Sequence, residues 1–178
     1  MLRLARLLAR LTPHASRLTA SAALCIALTA CGFHLRGQAT LPFDVLYIDA
    51  APTSVFATQL RRVIGSGSKT RVTNNPAEAD ATLQVVAEAR EKEILALSGG
   101  GRVREFQLRY RVTYQVFDKN KALLAPPRDI VLRRDFSFND QEQLSKEAEE
   151  ALLFRDMQTD AVQQLVRRLQ AVARTAKS

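Results

Sequence analysis

Through the middle of the chain, apolar and polar residues alternate with little interruption. Phe106, Leu108, Tyr110, Val112, Tyr114 and Val116 hold one phase; Glu105, Gln107, Arg109, Arg111, Thr113 and Gln115 hold the other. Successive side chains point to opposite sides of a sheet, so this pattern predicts a long antiparallel strand with one buried and one wet face. The preceding segment carries the same signal. From Ala81 onward Leu83, Val85, Ala87 and Ala89 are apolar, while Thr82, Gln84, Glu88, Arg90 and Lys92 are polar. The phase slips near Glu93-Ile94-Leu95, which predicts a bulge there. Gly99-Gly100-Gly101 make the turn between the two strands. Ala125-Pro126-Pro127 are expected to break the pattern. Ile130, Leu132, Phe136 and Phe138 then mark a further strand, with Arg134 interrupting its apolar face. A buried arginine needs a partner, so either Arg134 pairs with Asp135 or Asp129, or a bulge turns it outward.

Helical spacing flanks this β region. Phe43 to Asp49 is a nearly continuous apolar run, the mark of a strand covered on both faces. After Pro52, Thr53 or Ser54 caps a helix whose stripe is Phe56, Leu60, Val63 and Ile64, ended by Gly65 and Gly67. Thr70 to Thr73 reads as a short edge strand, and Asn74-Asn75-Pro76 as a turn. Asn139-Asp140 cap a long helix from Gln141 to Ala173, and Asp140 with Gln143 resembles a capping box. Glu142 and Lys146 are spaced to pair along it. Ala148, Ala151, Phe154, Ala161, Leu165, Leu169 and Val172 trace its buried stripe, with Arg167, Arg168 and Arg174 where the helix dipole favours cations. These elements predict an α/β two-layer sandwich: about four mostly antiparallel strands with two helices packed on one face.

The first thirty residues do not fit that domain. Arg3, Arg6, Arg10 and Arg17 make a cationic leader, and no acid precedes Asp44. Leu18 to Leu28 are apolar but too few to span a bilayer as a permanent helix. Leu28-Thr29-Ala30-Cys31 then has the form of a bacterial lipoprotein cleavage box. Residues 1–30 are expected to be a cleaved lipoprotein signal peptide, 31–42 a lipidated linker, and 43–178 a single domain. Cys31 would carry S-diacylglycerol and an N-acyl (palmitate) chain. The alternatives are a simple secretory signal and a retained amphipathic anchor. Gly32, rather than Asp, after the cysteine points to the outer membrane.

Composition narrows the chemistry. Of 26 Lys and Arg against 18 Asp and Glu, four basic residues belong to the leader, which leaves the mature chain about +4. That is no nucleic-acid footprint, but it fits an anionic partner such as a phosphorylated head group. Cys25 would leave with the leader and Cys31 would be acylated, so no thiol remains for a disulfide, a metal or a nucleophile. The remaining histidine, His34, lies three residues from the lipid. No enzymatic activity, metal or cofactor is expected beyond the covalent lipid.

Cys31-Gly32-Phe33-His34-Leu35-Arg36-Gly37 resembles the mature N-terminus of the LPS-assembly lipoprotein family LptE. Arg134, Phe136, Phe138 and Asn139 resemble its arginine-aromatic pattern before the last helix. Met157, Asp160, Gln164, Leu165, Arg168 and Leu169 resemble that helix's second half. The triple glycine and the long arginine-rich leader depart from some members. The resemblance implies a Gram-negative lipoprotein at the inner leaflet of the outer membrane, facing the periplasm. It also implies a plug that assists assembly of the LptD β-barrel and shares in lipopolysaccharide transport. The alternative is an autonomous periplasmic lipid carrier or ligand-binding lipoprotein, but the chain has no tryptophan and no surplus apolar segment. Arg102 and Arg104 flank the glycine turn and donate strongly to phosphate. Lys146 lies near a helix start, an end that already favours anions. All three are candidate lipopolysaccharide contacts, or else solvated element ends. Gly99 to Gly101 themselves lack the residues of a phosphate-binding loop.

Overall fold

The structure, a computed structural model, describes residues 40–139 and 142–175. The expected leader, Cys31, His34, the expected linker as far as Ala39 and Asp140 of the expected capping box lie outside the described residues. The elements are β1 (Val45–Asp49), α1 (Val55–Gly67), β2 (Arg71–Thr73), β3 (Ala81–Leu97), β4 (Val103–Asp118), β5 (Leu123–Ser137) and α2 (Gln143–Thr175). The five strands lie in the order β2-β1-β3-β4-β5, so short β2 brings the sheet to one strand more than expected. β1 pairs in parallel with β2 and β3, while β3, β4 and β5 form an antiparallel meander.

Both helices cover one face. Ser54 caps α1, its Oγ accepting from Ala57 N at 3.0 Å, and α1 buries Phe56, Ala57, Leu60 and Ile64. Beneath lie Leu46 and Ile48 of β1, Leu83 of β3 and the expected alternate residues of β4 from Leu108 to Val116. Full burial of each large apolar side chain contributes about 1.5–3 kcal/mol. Gln59 and Gln158 tie α1 to α2: Gln158 Nε2 donates to Gln59 Oε1 at 2.7 Å.

The β3 phase differs from the sequence pattern in one decisive way. A bulge stands at Ile94/Ala96, as expected, but another lies between Val85 and Ala87. Val86 is the extra residue. Beyond it the faces exchange: Glu88, Arg90 and Lys92 pair with Val112, Tyr110 and Leu108, on the helix side of the sheet. Ala87 is exposed instead of buried. The alanines carry too little apolar surface to fix the phase, and the long polar side chains find partners above the sheet.

Two further expectations change. β5 runs through Pro126 and Pro127 without ending. It is an edge strand, so one of the two adjacent prolines faces away from β4, and the pairing shifts between Tyr114 and Val116 so that neither proline is paired with β4. The buried stripe of α2 spans only Phe154 to Leu169, and Ala148 and Ala151 are exposed. The first turns of α2 thus lie along the far end of the meander without entering the core.

Candidate functional site

That far end gathers the candidate cations. Between β3 and β4 the chain turns tightly: Ser98 N donates to Arg102 O at 2.7 Å and Gly101 N to Ser98 O at 2.9 Å. Gly101 adopts φ +76°, which explains one of the three glycines; Gly99 and Gly100 have no such requirement. Arg102 and Arg104 are exposed on this hairpin. Arg104 O accepts from Phe138 N at 2.8 Å, which brings the end of β5 alongside. Lys146 Nζ reaches Ser137 Oγ at 3.4 Å and pairs with Glu149 at 2.8 Å, rather than with Glu142. Its side chain is only 14% exposed. The sheet thus brings the hairpin pair Arg102 and Arg104 to the same end as Lys146, which is distant from them in sequence. Ile94, Leu95 and Leu97 add exposed apolar surface on the same hairpin.

Beneath the cations lies a cluster that the alternating pattern hid. Phe106 stacks on Phe136 at 5.7 Å between centroids and meets Phe138 edge-on at 5.1 Å. Lys92 Nζ stands 4.2 Å from the Phe106 centroid and 2.6 Å from Glu150 of α2. The cation is held by ring quadrupoles on one side and a carboxylate on the other. Two residues back, Arg90 lies between the Tyr110 and Phe154 rings, at 5.8 and 5.7 Å, and donates to Gln158 Oε1 at 2.9 Å. Glu88 accepts from Tyr110 Oη at 2.7 Å and from Ser54 Oγ at 2.8 Å. Burial, reinforced by the bond to Glu88, pushes the Tyr110 phenol far above its ordinary range.

Arg134 takes neither partner expected of it. It pairs with Asp160 of α2 at 2.9 Å, while Asp135 accepts from Gln107 and Asp129 from Thr113. Arg168 donates to the Asp129 carbonyl at 2.8 Å, covering part of the outer edge of β5. The open face of the sheet is a polar ladder. Arg109 pairs with Glu91 at 2.9 Å and with Glu93 at 3.1 Å, and Gln115 donates to Gln84. The Nε atoms of Arg109 and Arg111 are buried there without a partner among the described residues. No described helix is long and apolar enough to cross a membrane.

A family model described as LptE, lipopolysaccharide-assembly, matches residues 43–169, which takes in the whole sheet and the buried stripe of α2. The chain belongs to the LptE family. The LPS-assembly lipoprotein LptE of Yersinia pestis is 30% identical to this LptE-family chain over 159 residues, covering 87% of this chain and 76% of that protein. The protein of the same description from Yersinia pseudotuberculosis matches equally. Among solved structures, the uncharacterized lipoprotein B of Nitrosomonas europaea is 45% identical and superposes with a TM-score of 0.70, covering 79% of this chain and 91% of that one. Rare lipoprotein B of Shewanella oneidensis, 21% identical, superposes at 0.66 over 75% of this chain and 99% of that one; this likeness shows the fold. The cluster of Glu88, Arg90, Lys92 and Glu150 escaped the sequence reading because the Val86 bulge leaves no apolar signal of its own.

Proposed function

We propose that this LptE-family chain is an outer-membrane lipoprotein, anchored through Cys31 in the inner leaflet and facing the periplasm. It plugs and helps assemble an LptD-type β-barrel and takes part in delivering lipopolysaccharide to the cell surface. Its work is binding and folding assistance, with no bond chemistry. Membership of the lipopolysaccharide-assembly family over residues 43–169 carries this reading. Two features of the geometry support it. Arg102, Arg104 and Lys146 share one end of the sheet, where phosphate groups of lipid A would find charge-assisted donors. The open face is a hydrogen-bonded polar ladder, the surface that a polar barrel lumen can accept. A lipid carrier would need an apolar cavity, whereas the groove of about 630 Å³ beside α2 is lined in part by Arg90, Arg155, Glu147 and Glu150.

Co-purification from outer membranes tests the reading. A detergent-extracted one-to-one assembly with the barrel is the expected result; recovery of the chain alone, with the barrel present in the same membranes, would refute it. Intact mass should show acylated Cys31 at the mature N-terminus, and Cys31→Ala should leave an uncleaved or soluble form. A mature protein without acyl mass would remove the anchor from the proposal.

A further inference from the structure

The two hairpins of the meander are built alike. At 98–102, Ser98 N donates to Arg102 O and Gly101 N to Ser98 O; at 118–122, Asp118 N donates to Ala122 O at 2.9 Å and Lys121 N to Asp118 O at 3.0 Å. Each is a three-residue loop whose last residue is left-handed. In the first that residue is Gly101, at φ +76°; in the second it is Lys121, at φ +63°. A β-carbon is strained in this conformation and glycine is not. Nothing in the bonding of the second turn calls for a lysine. Asp118 Oδ1 secures it further by accepting from Asn120 N and Ala122 N, both at 2.8 Å. The chain thus places a cation where local geometry favours glycine.

Apolar surface stands beside that cation. Leu123 and Leu124, which begin β5, are 52% and 38% exposed. Pro126 and Pro127 follow them and keep this stretch of edge from adding another strand. Lys119 and Lys121 are exposed in the turn itself, and their side chains have no hydrogen bond or ion pair among the described residues. Charge by itself selects no partner here, because acids are as numerous at this end. Asp118 and Asp80 accept from backbone N–H groups, Asp49 accepts from Gln84, Glu78 pairs with Arg71, and Asp44 stands with Lys69. What sets the turn apart is an exposed leucine pair next to two lysines without partners.

The place of the turn in the fold gives it a neighbour. Leu41 and Phe43 are buried where the chain approaches β1. Leu46 of β1 pairs with Ala81, and Ala81 pairs with Asp118, so the chain enters the sheet at the end that carries the lysine turn. The 16 residues of β4 put the glycine hairpin about 50 Å away. Cys31 precedes Leu41 by ten residues, a reach of at most about 35 Å. A lipid on Cys31 therefore keeps the lysine turn, and not the glycine hairpin, nearest the leaflet.

We propose that residues 118–124 dock on the bilayer that holds the anchor. Leu123 and Leu124 enter the boundary between headgroups and acyl chains, while Lys119 and Lys121 extend along it and set their ammonium groups at the lipid phosphates. The contact is led by the leucines, in keeping with the charge balance of this end, and it directs the glycine hairpin away from the leaflet. This docking rests on the anchor at Cys31 proposed above.

The test uses the full acylated chain in vesicles of phosphatidylethanolamine and phosphatidylglycerol. With Cys31 acylated, a single introduced cysteine takes an environment-sensitive fluorophore, at Asn120→Cys or, for comparison, at Gly100→Cys, where a β-carbon meets no close neighbour. Quenching by iodide should be several-fold weaker at position 120 than at position 100, and only after vesicles are added. Leu123→Ser with Leu124→Ser should abolish that protection. Lys121→Gly should remove part of it without lowering the melting temperature, since glycine relieves the left-handed position; this variant keeps the test decisive if the serine pair does not fold. Equal quenching at the two positions, protection already present without vesicles, as self-association would give, or protection unchanged in the folded variants overturns the docking while the anchor stands. If intact mass shows no acyl group on the mature chain and it does not bind the vesicles, the anchor falls and the docking with it.

Discussion

Replacing Lys92 by alanine removes two kinds of contact at once. Its Nζ lies 2.6 Å from Glu150, with the two side chains 34% and 24% exposed. It also lies 4.2 Å from the Phe106 centroid, with Phe136 at 5.6 Å and Phe138 at 6.0 Å. An ion pair at this exposure contributes roughly 0.5–1 kcal/mol, and the ring contact about 0.5–1 kcal/mol more. The variant should therefore lose about 1–2 kcal/mol, a fall of about 3–6 °C in melting temperature for a domain of this size. The local effect should be larger than the global one. Residues 143–152 bury no side chain fully, and among the described residues two side-chain bonds hold them to the sheet, Lys92 to Glu150 and Lys146 to Ser137. Hydrogen exchange in that segment should quicken by up to about ten-fold, the factor that corresponds to 1.4 kcal/mol. A double-mutant cycle of Lys92→Ala with Glu150→Ala, followed by urea unfolding, should return a coupling of about 0.5–1 kcal/mol. Coupling below about 0.3 kcal/mol, with unchanged exchange, would refute the assignment of this pair as the fastening of α2.

Three other outcomes follow from the same geometry. Deleting Val86 removes the residue that has no opposite number on β4, so Glu88, Arg90 and Lys92 should keep their face and the chain should fold with a loss of no more than about 2 kcal/mol; disappearance of the Lys92–Glu150 coupling in the deletion would show that the bulge does not set the phase. Tyr110 keeps its proton in the folded state well above its ordinary value of 10.0. Its contribution is therefore full below that pH and is lost as pH rises beyond it, because the unfolded chain ionises first. Tyr110→Phe should flatten the alkaline fall in urea midpoint while costing about 1.5 kcal/mol at neutral pH, and an unchanged alkaline slope would count against it. Combined Arg102→Asp, Arg104→Asp and Lys146→Asp should weaken lipopolysaccharide binding about ten-fold or more. The stability cost should come chiefly from position 146, where a new acid would face Glu149; unaltered binding at moderate salt would leave these residues as solvated ends.

The elements differ in how far the chain itself announced them. β4 was legible residue by residue, because its alternate positions carry large apolar side chains whose burial on one face exceeds any competing arrangement. α1 was legible for a related reason: Ser54, Phe56, Leu60 and Ile64 combine a cap with a helical stripe, and both signals are local. In β3 the alternation continued in letters but not in space. Ala87 and Ala89 offer little burial energy, while Tyr110, Phe154 and Glu150 reward Arg90 and Lys92 for lying above the sheet. The bulge at Val86 follows from that balance, which exists only once α2 is docked. The prolines of β5 likewise made sense only when β5 proved to be an edge strand.

The candidate site divides along the same line. Residue type and local order alone determined that Arg102 and Arg104 flank a turn, that Lys146 lies near a helix start, and that Leu28-Thr29-Ala30-Cys31 has the form of a lipoprotein box. Tertiary structure decided that the hairpin, the end of β5 and the first turns of α2 meet, that Lys146 is largely covered, and that Arg134 answers Asp160 rather than a neighbour in its own strand. Local patterns determine which side of an element is apolar, since that depends on spacing along one chain direction. Which charges find partners depends on distances between elements, and those are set only when the helices settle on the sheet.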